Sequence, residues 1–99
     1  MAERLVVAAA CSSPEILGAN LARSPLLGAG VALHEEWNAA SAAQAYNRAL
    51  DATTASVVIL AHQDVYFPAG WERLLATRIA EVATADPNWG LIGAFGVGL

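Results

Sequence analysis

The sequence predicts an α/β domain of three layers, with a mainly parallel sheet and helices on its faces. Short apolar runs alternate with helix-like segments along the 99 residues. Strand–helix–strand alternation builds parallel sheets through right-handed crossovers. The chain is 57% hydrophobic, too apolar for disorder, and its length fits a single domain over residues 1–99. Strands are expected near residues 4–10, 30–35, 56–62 and 89–95.

The first strand and helix follow from the opening residues. Residues 4–10, RLVVAAA, form a continuous apolar run, typical of a strand buried on both faces. Ser13 is suited to accept from a free backbone N–H as N-cap, and Pro14 suits the first helical position. A helix is therefore expected to about residue 22. The stretch 24–30 contains one proline and two glycines, which predicts a connection.

The middle of the chain repeats this order. Residues 30–34, GVALH, predict a short second strand. Ser41 and Gln44 match a capping box, in which each side chain satisfies the other residue's backbone donor. The alanine-rich helix that they open is expected to end near Asp51. Residues 57–61, VVILA, predict the third buried strand.

A third helix is expected to start at Pro68, because the apolar residues beyond it recur with the helical period. These residues are Trp71, Leu74, Leu75, Ile79 and Val82. The sequence Asp-Pro-Asn at 86–88 predicts its end. The apolar residues 89–95 then predict a fourth strand.

Charge and cysteine content exclude several classes of function. Nine acidic residues and five basic ones, all arginine, give a net charge of −4, so a nucleic-acid partner is not expected. The single Cys11 excludes an internal disulfide and a cysteine-rich zinc site, and we expect it to be a buried structural thiol rather than a nucleophile. The apolar runs are far shorter than the roughly 20 residues of a membrane span. We therefore expect a cytoplasmic protein.

Polar residues follow each of the first three predicted strands. In parallel α/β sheets, ligands bind outside the carboxyl ends of the strands. Ser12 and Ser13 follow the first strand, residues 34–38 (HEEWN) surround the end of the second, and His62 and Asp64 follow the third. The topology thus predicts a candidate site at one edge of the sheet.

Each candidate also has a structural explanation. Asp64 could bind a metal or only cap the following turn, and His62 could join it as a ligand or bond to a backbone carbonyl. Glu35 and Glu36 are more often a solvated turn than a pair for acid–base catalysis. Neither GxGxxG nor a Walker sequence occurs, so a glycine-rich phosphate loop is not expected.

Residues 38–71, NAASAAQAYNRALDATTASVVILAHQDVYFPAGW, resemble bacterial glycosyltransferase-like proteins of the GT-A type, related to family 2. The specific part is HQDVYFPAGW at 62–71, and the similarity extends more loosely towards both ends. The resemblance implies a Rossmann-like GT-A fold of which this chain is the donor-binding N-terminal half. GT-A enzymes are roughly twice this size or larger.

The same resemblance implies a site for a nucleotide-diphospho-sugar. The positions expected on the nucleotide side are Ser12, Ser13, Glu35, Asn38 and Asn47. Asp64, with His62 beside it, is expected to hold Mg²⁺ or Mn²⁺ against the diphosphate, where the cation acts as a Lewis acid. His62 stands where the family has the first of two aspartates, and an imidazole shifts the preference towards Mn²⁺.

The expected function is transfer of a sugar to an acceptor, with the catalytic base outside these 99 residues. The alternatives are a non-catalytic nucleotide- or metal-binding module, or an α/β interaction domain whose edge residues are only caps and turns. We expect the isolated chain to be inactive. We also expect a homo-oligomer, because the apolar segment 91–99 would otherwise be exposed.

Overall fold

A computed structural model describes residues 4–93, which form a three-stranded parallel sheet with flanking helices, as the α/β prediction requires. The strand order is β2-β1-β3. The elements in chain order are β1 (Leu5–Cys11), α1 (Pro14–Ala19), a 3-10 turn (Leu21–Arg23), α2 (Pro25–Gly28), β2 (Ala32–Trp37), α3 (Ala42–Ala52), β3 (Val57–His62) and α4 (Trp71–Ala85).

The central strand β1 pairs with both of the others in parallel. Its pairing with β2 runs to Cys11 opposite Trp37, and its pairing with β3 runs to Ala10 opposite His62. All three carboxyl ends therefore meet at one edge of the sheet.

The two faces of the sheet are covered by different parts of the chain. On one face, Val7, Ala9 and Cys11 of β1 join a buried cluster with residues of α1, the 3-10 turn and α2. Successive strand residues point to opposite faces, so Val6 and Ala8 lie on the other face. There α3 packs against β1 and β2 and buries two alanines. Covering β1 on both faces explains why its sequence is continuously apolar.

Side-chain caps mark the N-termini of two helices, α1 and α3. Ser13 accepts from the backbone N–H of Ile16 at 3.3 Å, with Pro14 at the first helical position, as expected. Ser41 accepts from the N–H of Gln44 at 3.1 Å. The second half of the capping box differs from the prediction, because Gln44 accepts from the N–H of Ala40 rather than that of Ser41.

Several of the predicted boundaries are wrong. β2 spans Ala32–Trp37 rather than 30–35, and Glu35 and Glu36, expected in a solvated turn, lie inside the strand because its pairing with β1 continues to Trp37.

The first helix ends at Ala19, before a 3-10 turn, and the expected connection over 24–30 contains α2. The third helix begins at Trp71 rather than Pro68, because Gly70 adopts a left-handed φ of 88° as its N-cap. A left-handed residue breaks the helix, and glycine accommodates that conformation without a Cβ clash.

The fourth strand is not present in the described part of its range. Residues 89–93 have no regular secondary structure, and residues 94 and 95 lie outside the described residues. An apolar run becomes a strand only when it pairs with a neighbour, and residues 89–93 pair with none of the three strands. Within residues 4–93, no helix is both long and apolar enough to cross a bilayer.

Candidate functional site

Two cavities open near the carboxyl ends of the strands, one beside each neighbour of β1. The first, which we call the β3 cavity, has a volume of about 400 Å³; its lining residues are Ala10, Ile16, His62, Gln63 and Asp64. The second, the β2 cavity, has a volume of about 200 Å³; its lining residues are Ala10, Cys11, Ser12, Glu36, Ala39, Ser41 and Ala42. Both lie at the edge where the parallel topology predicts a ligand site.

His62 and Asp64 both line the β3 cavity. His62 is the last residue of β3, and Asp64 lies in a turn in which the N–H of Val65 donates to the carbonyl of His62 at 3.2 Å. Both side chains are exposed, and neither makes a hydrogen bond or an ion pair with another residue of the range 4–93. One carboxylate and one imidazole therefore have lone pairs available for a ligand.

The side chain of Gln63, which lies between them, forms hydrogen bonds with the turn after β1. Its Oε1 accepts from the backbone N–H groups of Ser12 at 2.9 Å and Ser13 at 3.0 Å. Its Nε2 donates to the Oγ of Ser12 at 2.9 Å. The side-chain amide thus bridges the ends of two strands that lie 50 positions or more apart in sequence.

Polar side chains on β2 bond to one another instead. His34 Nε2 and Glu36 Oε2 form a hydrogen-bonded pair on one face of the strand, and both are partly buried. On the opposite face, the Trp37 Nε1 donates to the Glu35 Oε1 at 2.8 Å. These carboxylates already have partners, which leaves them less free to bind a ligand.

Cys11 is the buried thiol that the sequence predicts. Its Sγ lies 3.5 Å from the carbonyl oxygen of Ala9. Burial raises the pKa of the thiol above its ordinary value of 9.0, and the carboxylate of Glu35 adds to that rise. A raised pKa keeps the sulfur protonated at neutral pH, when it is a poor nucleophile.

The other residues expected on the nucleotide side do not converge on one cavity. Ser12 lines the β2 cavity, and Ser13 caps α1. Asn38 follows β2 with a left-handed φ of 62°, so it has a backbone role in turning the chain. Asn47 is exposed on α3. Glu35, Asn38 and Asn47 are not among the residues that line either cavity.

Grouped metal ligands are scarce in the described part of the chain. Over residues 4–93, no cluster of three or more His, Cys, Asp or Glu side chains could hold a metal ion. A cation in the β3 cavity would need further ligands from water or from a bound substrate.

Sequence reasoning assigned no role to Gln63 or to Ser24. Ser24 is 4% exposed, and its Oγ accepts from the backbone N–H of Phe67 at 2.9 Å. That bond holds the segment after β3 next to the end of the 3-10 turn, where Phe67 packs on Trp71 with ring centroids 4.4 Å apart. The hydrogen bonds of Gln63 and Ser24 join residues more than 40 positions apart, so no local sequence signal indicates them.

Together, the fold and the edge define a small parallel α/β domain with a polar cavity at the carboxyl end of its sheet. No protein-family model matches this chain, and no curated protein or solved structure is significantly similar to it.

Proposed function

We propose that this chain binds a nucleotide-diphospho-sugar together with a divalent cation in the β3 cavity, as the donor site of a glycosyltransferase. The observation that carries the proposal is the cavity of about 400 Å³ in which His62 and Asp64 lie without protein partners among residues 4–93. The resemblance of residues 38–71 to GT-A glycosyltransferases supports the choice of ligand.

The position of the cavity supports a ligand site. The strand order reverses between β1 and β3, since the chain runs from β1 outward to β2 and then crosses back to the far side of β1. In open parallel sheets, ligands bind at the carboxyl edge at such a reversal. The β3 cavity lies at this point, lined by Ala10 from β1 and His62 from β3.

Charge supports a cation as part of the ligand. Among residues 4–93, Asp64 is the only acidic side chain that lines the β3 cavity, and no arginine of that range lines it. A diphosphate alone would be repelled by this carboxylate, whereas a divalent cation attracts both groups. Binding of the diphosphate is therefore expected to depend on the metal.

The donor atoms fit a cation shared with a substrate. Mg²⁺ commonly binds through one or two carboxylates and completes its shell with water and substrate phosphates. Asp64 would supply the carboxylate and His62 an imidazole, which suits Mn²⁺ better than Mg²⁺. The bound cation would neutralise charge on the leaving diphosphate. Ser12, Ser13, Glu35, Asn38 and Asn47 stay the residues proposed for the nucleotide, from the resemblance alone.

The proposal is tested by titrating the chain with UDP- and GDP-sugars in the presence of Mn²⁺, Mg²⁺ or EDTA. Calorimetry should detect binding with either metal and none with EDTA. A ligand at about ten times its dissociation constant stabilises the fold by about 1.4 kcal/mol, which raises the melting temperature by several degrees. Absence of binding to every nucleotide sugar with both metals would overturn the proposal.

Asp64→Asn should weaken this binding about tenfold or more, a loss of about 1.4 kcal/mol, because the amide carries no charge for the cation. The matched control is Asp51→Asn, the same change at an exposed position on α3 that lines neither cavity. Equal affinity of Asp64→Asn and the parent would contradict the assignment. The test measures binding rather than turnover, because the catalytic base is expected outside these 99 residues and the isolated chain is expected to be inactive.

A further inference from the structure

We propose that Gln63 is the positioning residue of the β3 cavity, and that its amide fixes His62 and Asp64 relative to the turn after β1. This inference rests on the proposed function of that cavity. It assigns to Gln63, which also lines the cavity, a role in ligand binding that acts through His62 and Asp64.

The ladder between β1 and β3 ends just before this point. Its last pair is Ala10 with His62, and no backbone hydrogen bond connects the strands beyond it within the described range. The next residue, Gln63, continues the connection with its side chain, through three hydrogen bonds of 2.9 to 3.0 Å to Ser12 and Ser13. The amide therefore acts as an extension of the sheet.

A second contact connects the main chain of Gln63 to the 3-10 turn. The backbone N–H of Leu21 donates to the carbonyl of Gln63 at 3.4 Å, and the side chain of Leu21 is fully buried. The main chain of Gln63 is thus tied to a residue anchored in the core. Its two sequence neighbours, His62 and Asp64, have no side-chain partners of their own among residues 4–93. Beyond the ladder pair of Ala10 with His62, their positions depend on the residue between them.

Removing the amide should release this connection. Without Gln63 Oε1, the two N–H groups of Ser12 and Ser13 would bond to water. The residues beyond the ladder would then be held only by the backbone bond from Leu21, and the turn after β1 could move relative to them. Small displacements of binding groups have large effects on substrate positioning. The structure therefore assigns Gln63 a share in the affinity for the ligand, beyond its share in stability.

Two substitutions separate the effect of the hydrogen bonds of Gln63 from the effect of its side-chain volume. Gln63→Leu keeps the size and removes every hydrogen bond. Gln63→Glu keeps two acceptor oxygens, and the hydroxyl of Ser12 can donate to the carboxylate, so the connection is retained. Gln44→Leu is the matched control, because Gln44 also accepts from a backbone N–H but lines neither cavity.

Two measurements are made on each variant at a temperature where all are folded. Amide hydrogen exchange by NMR, without ligand, should be about tenfold or more faster at Ser12 and Ser13 in Gln63→Leu. The affinity for the nucleotide sugar with Mn²⁺ should fall about tenfold or more in the same variant. Gln63→Glu should retain slow exchange and Mn²⁺-dependent binding, and Gln44→Leu should match the parent in both.

The outcomes separate this inference from the proposed function. Unchanged exchange in Gln63→Leu, or faster exchange with unchanged affinity, would overturn the positioning role while leaving the proposed function in place. If the parent binds no nucleotide sugar, the proposed function fails, and Mn²⁺ alone becomes the probe. Selective broadening of the His62 and Asp64 signals by Mn²⁺ in the parent but not in Gln63→Leu would then support the inference, and its absence in the parent would overturn it.

Discussion

The two strands that flank β1 use their polar residues in opposite ways. β2 contains three polar residues within the strand, and their side chains bond to other residues of the same strand. These residues are His34, Glu35 and Glu36. β3 is apolar as far as Ala61, and its polar residues come only at its end. Polar side chains that are partly buried inside a strand need hydrogen-bond partners nearby. Polar side chains beyond its end are exposed to water and can remain without a protein partner. The free groups on the β3 side are therefore the better candidates for binding a ligand.

The first prediction compares the two histidines. His62→Asp would place two carboxylates at the end of β3, and carboxylates favour Mg²⁺ more than an imidazole does. We expect the ratio of Mg²⁺ to Mn²⁺ affinity, measured by calorimetry with a nucleotide sugar, to rise about tenfold. The control His34→Asn changes a histidine that is already paired with Glu36 and should leave the ratio unchanged. An unaltered ratio in His62→Asp would show that His62 is not a ligand.

The second prediction concerns stability on the β2 side. Glu36→Ala removes the partner of His34 at a position where the Glu36 side chain is only 17% exposed. We expect the free energy of unfolding, measured in urea, to fall by about 1 kcal/mol. Glu35→Ala should cost less, since its bond with Trp37 is exposed to water. Asp64→Asn should have no effect on stability. An equal loss in all three variants would contradict the view that the polar groups of β2 are bonded while those after β3 are free.

The third and smallest effect concerns the pH dependence of stability at Cys11. Its pKa in the folded chain is raised above the ordinary value of 9.0, first by burial and then by Glu35. The fold therefore favours the protonated thiol, and the stability that this provides is present below about pH 9 and lost as pH rises through the folded-state pKa.

The measurement is urea unfolding of the parent and of Cys11→Ala at pH 8 and pH 10. The parent should lose more stability between these values than the variant. The phenol of Tyr46, whose pKa is also raised by burial, titrates in both proteins and largely cancels in the comparison. Parallel losses in the two proteins would contradict the predicted contribution of the thiol.

Local patterns in the sequence were sufficient to find three strands, but not to find every boundary. The positions of β1 and β3 and the caps at Ser13 and Ser41 were predicted correctly, because a continuous apolar run and a capping side chain are local signals. β2 was found, but its end was not, because the polar residues Glu35 and Glu36 gave no sign that the strand continues to Trp37. α4 starts later than predicted because Gly70 adopts a left-handed conformation. Glycine can adopt this conformation, but its presence in the sequence does not require it. The predicted strand at 89–95 failed over 89–93, since pairing depends on distant residues.

The location of the candidate site was predictable from the sequence, but the bonding of its residues was not. Parallel topology alone places His62 and Asp64 at the carboxyl edge of the sheet, and the structure brings both to one cavity. Their freedom from other bonds, and the connection made by Gln63, depend on contacts across about 50 positions. Glu35 was predicted for the nucleotide, but its bond to Trp37 follows from both residues lying on one face of β2, which was predicted to end before Trp37. The expected self-association and cytoplasmic location stay predictions.

The central place of β1 in the sheet has a consequence for how the chain folds during synthesis. β1 emerges from the ribosome before β3, and its pairing with β3 waits for a segment 52 positions later, as the bond between Arg4 and Ser56 shows. At about 5–20 residues per second, this interval lasts several seconds. Until then, an apolar strand that is buried on both faces in the folded chain remains exposed along one edge. The nascent chain is therefore more vulnerable to aggregation than the finished domain.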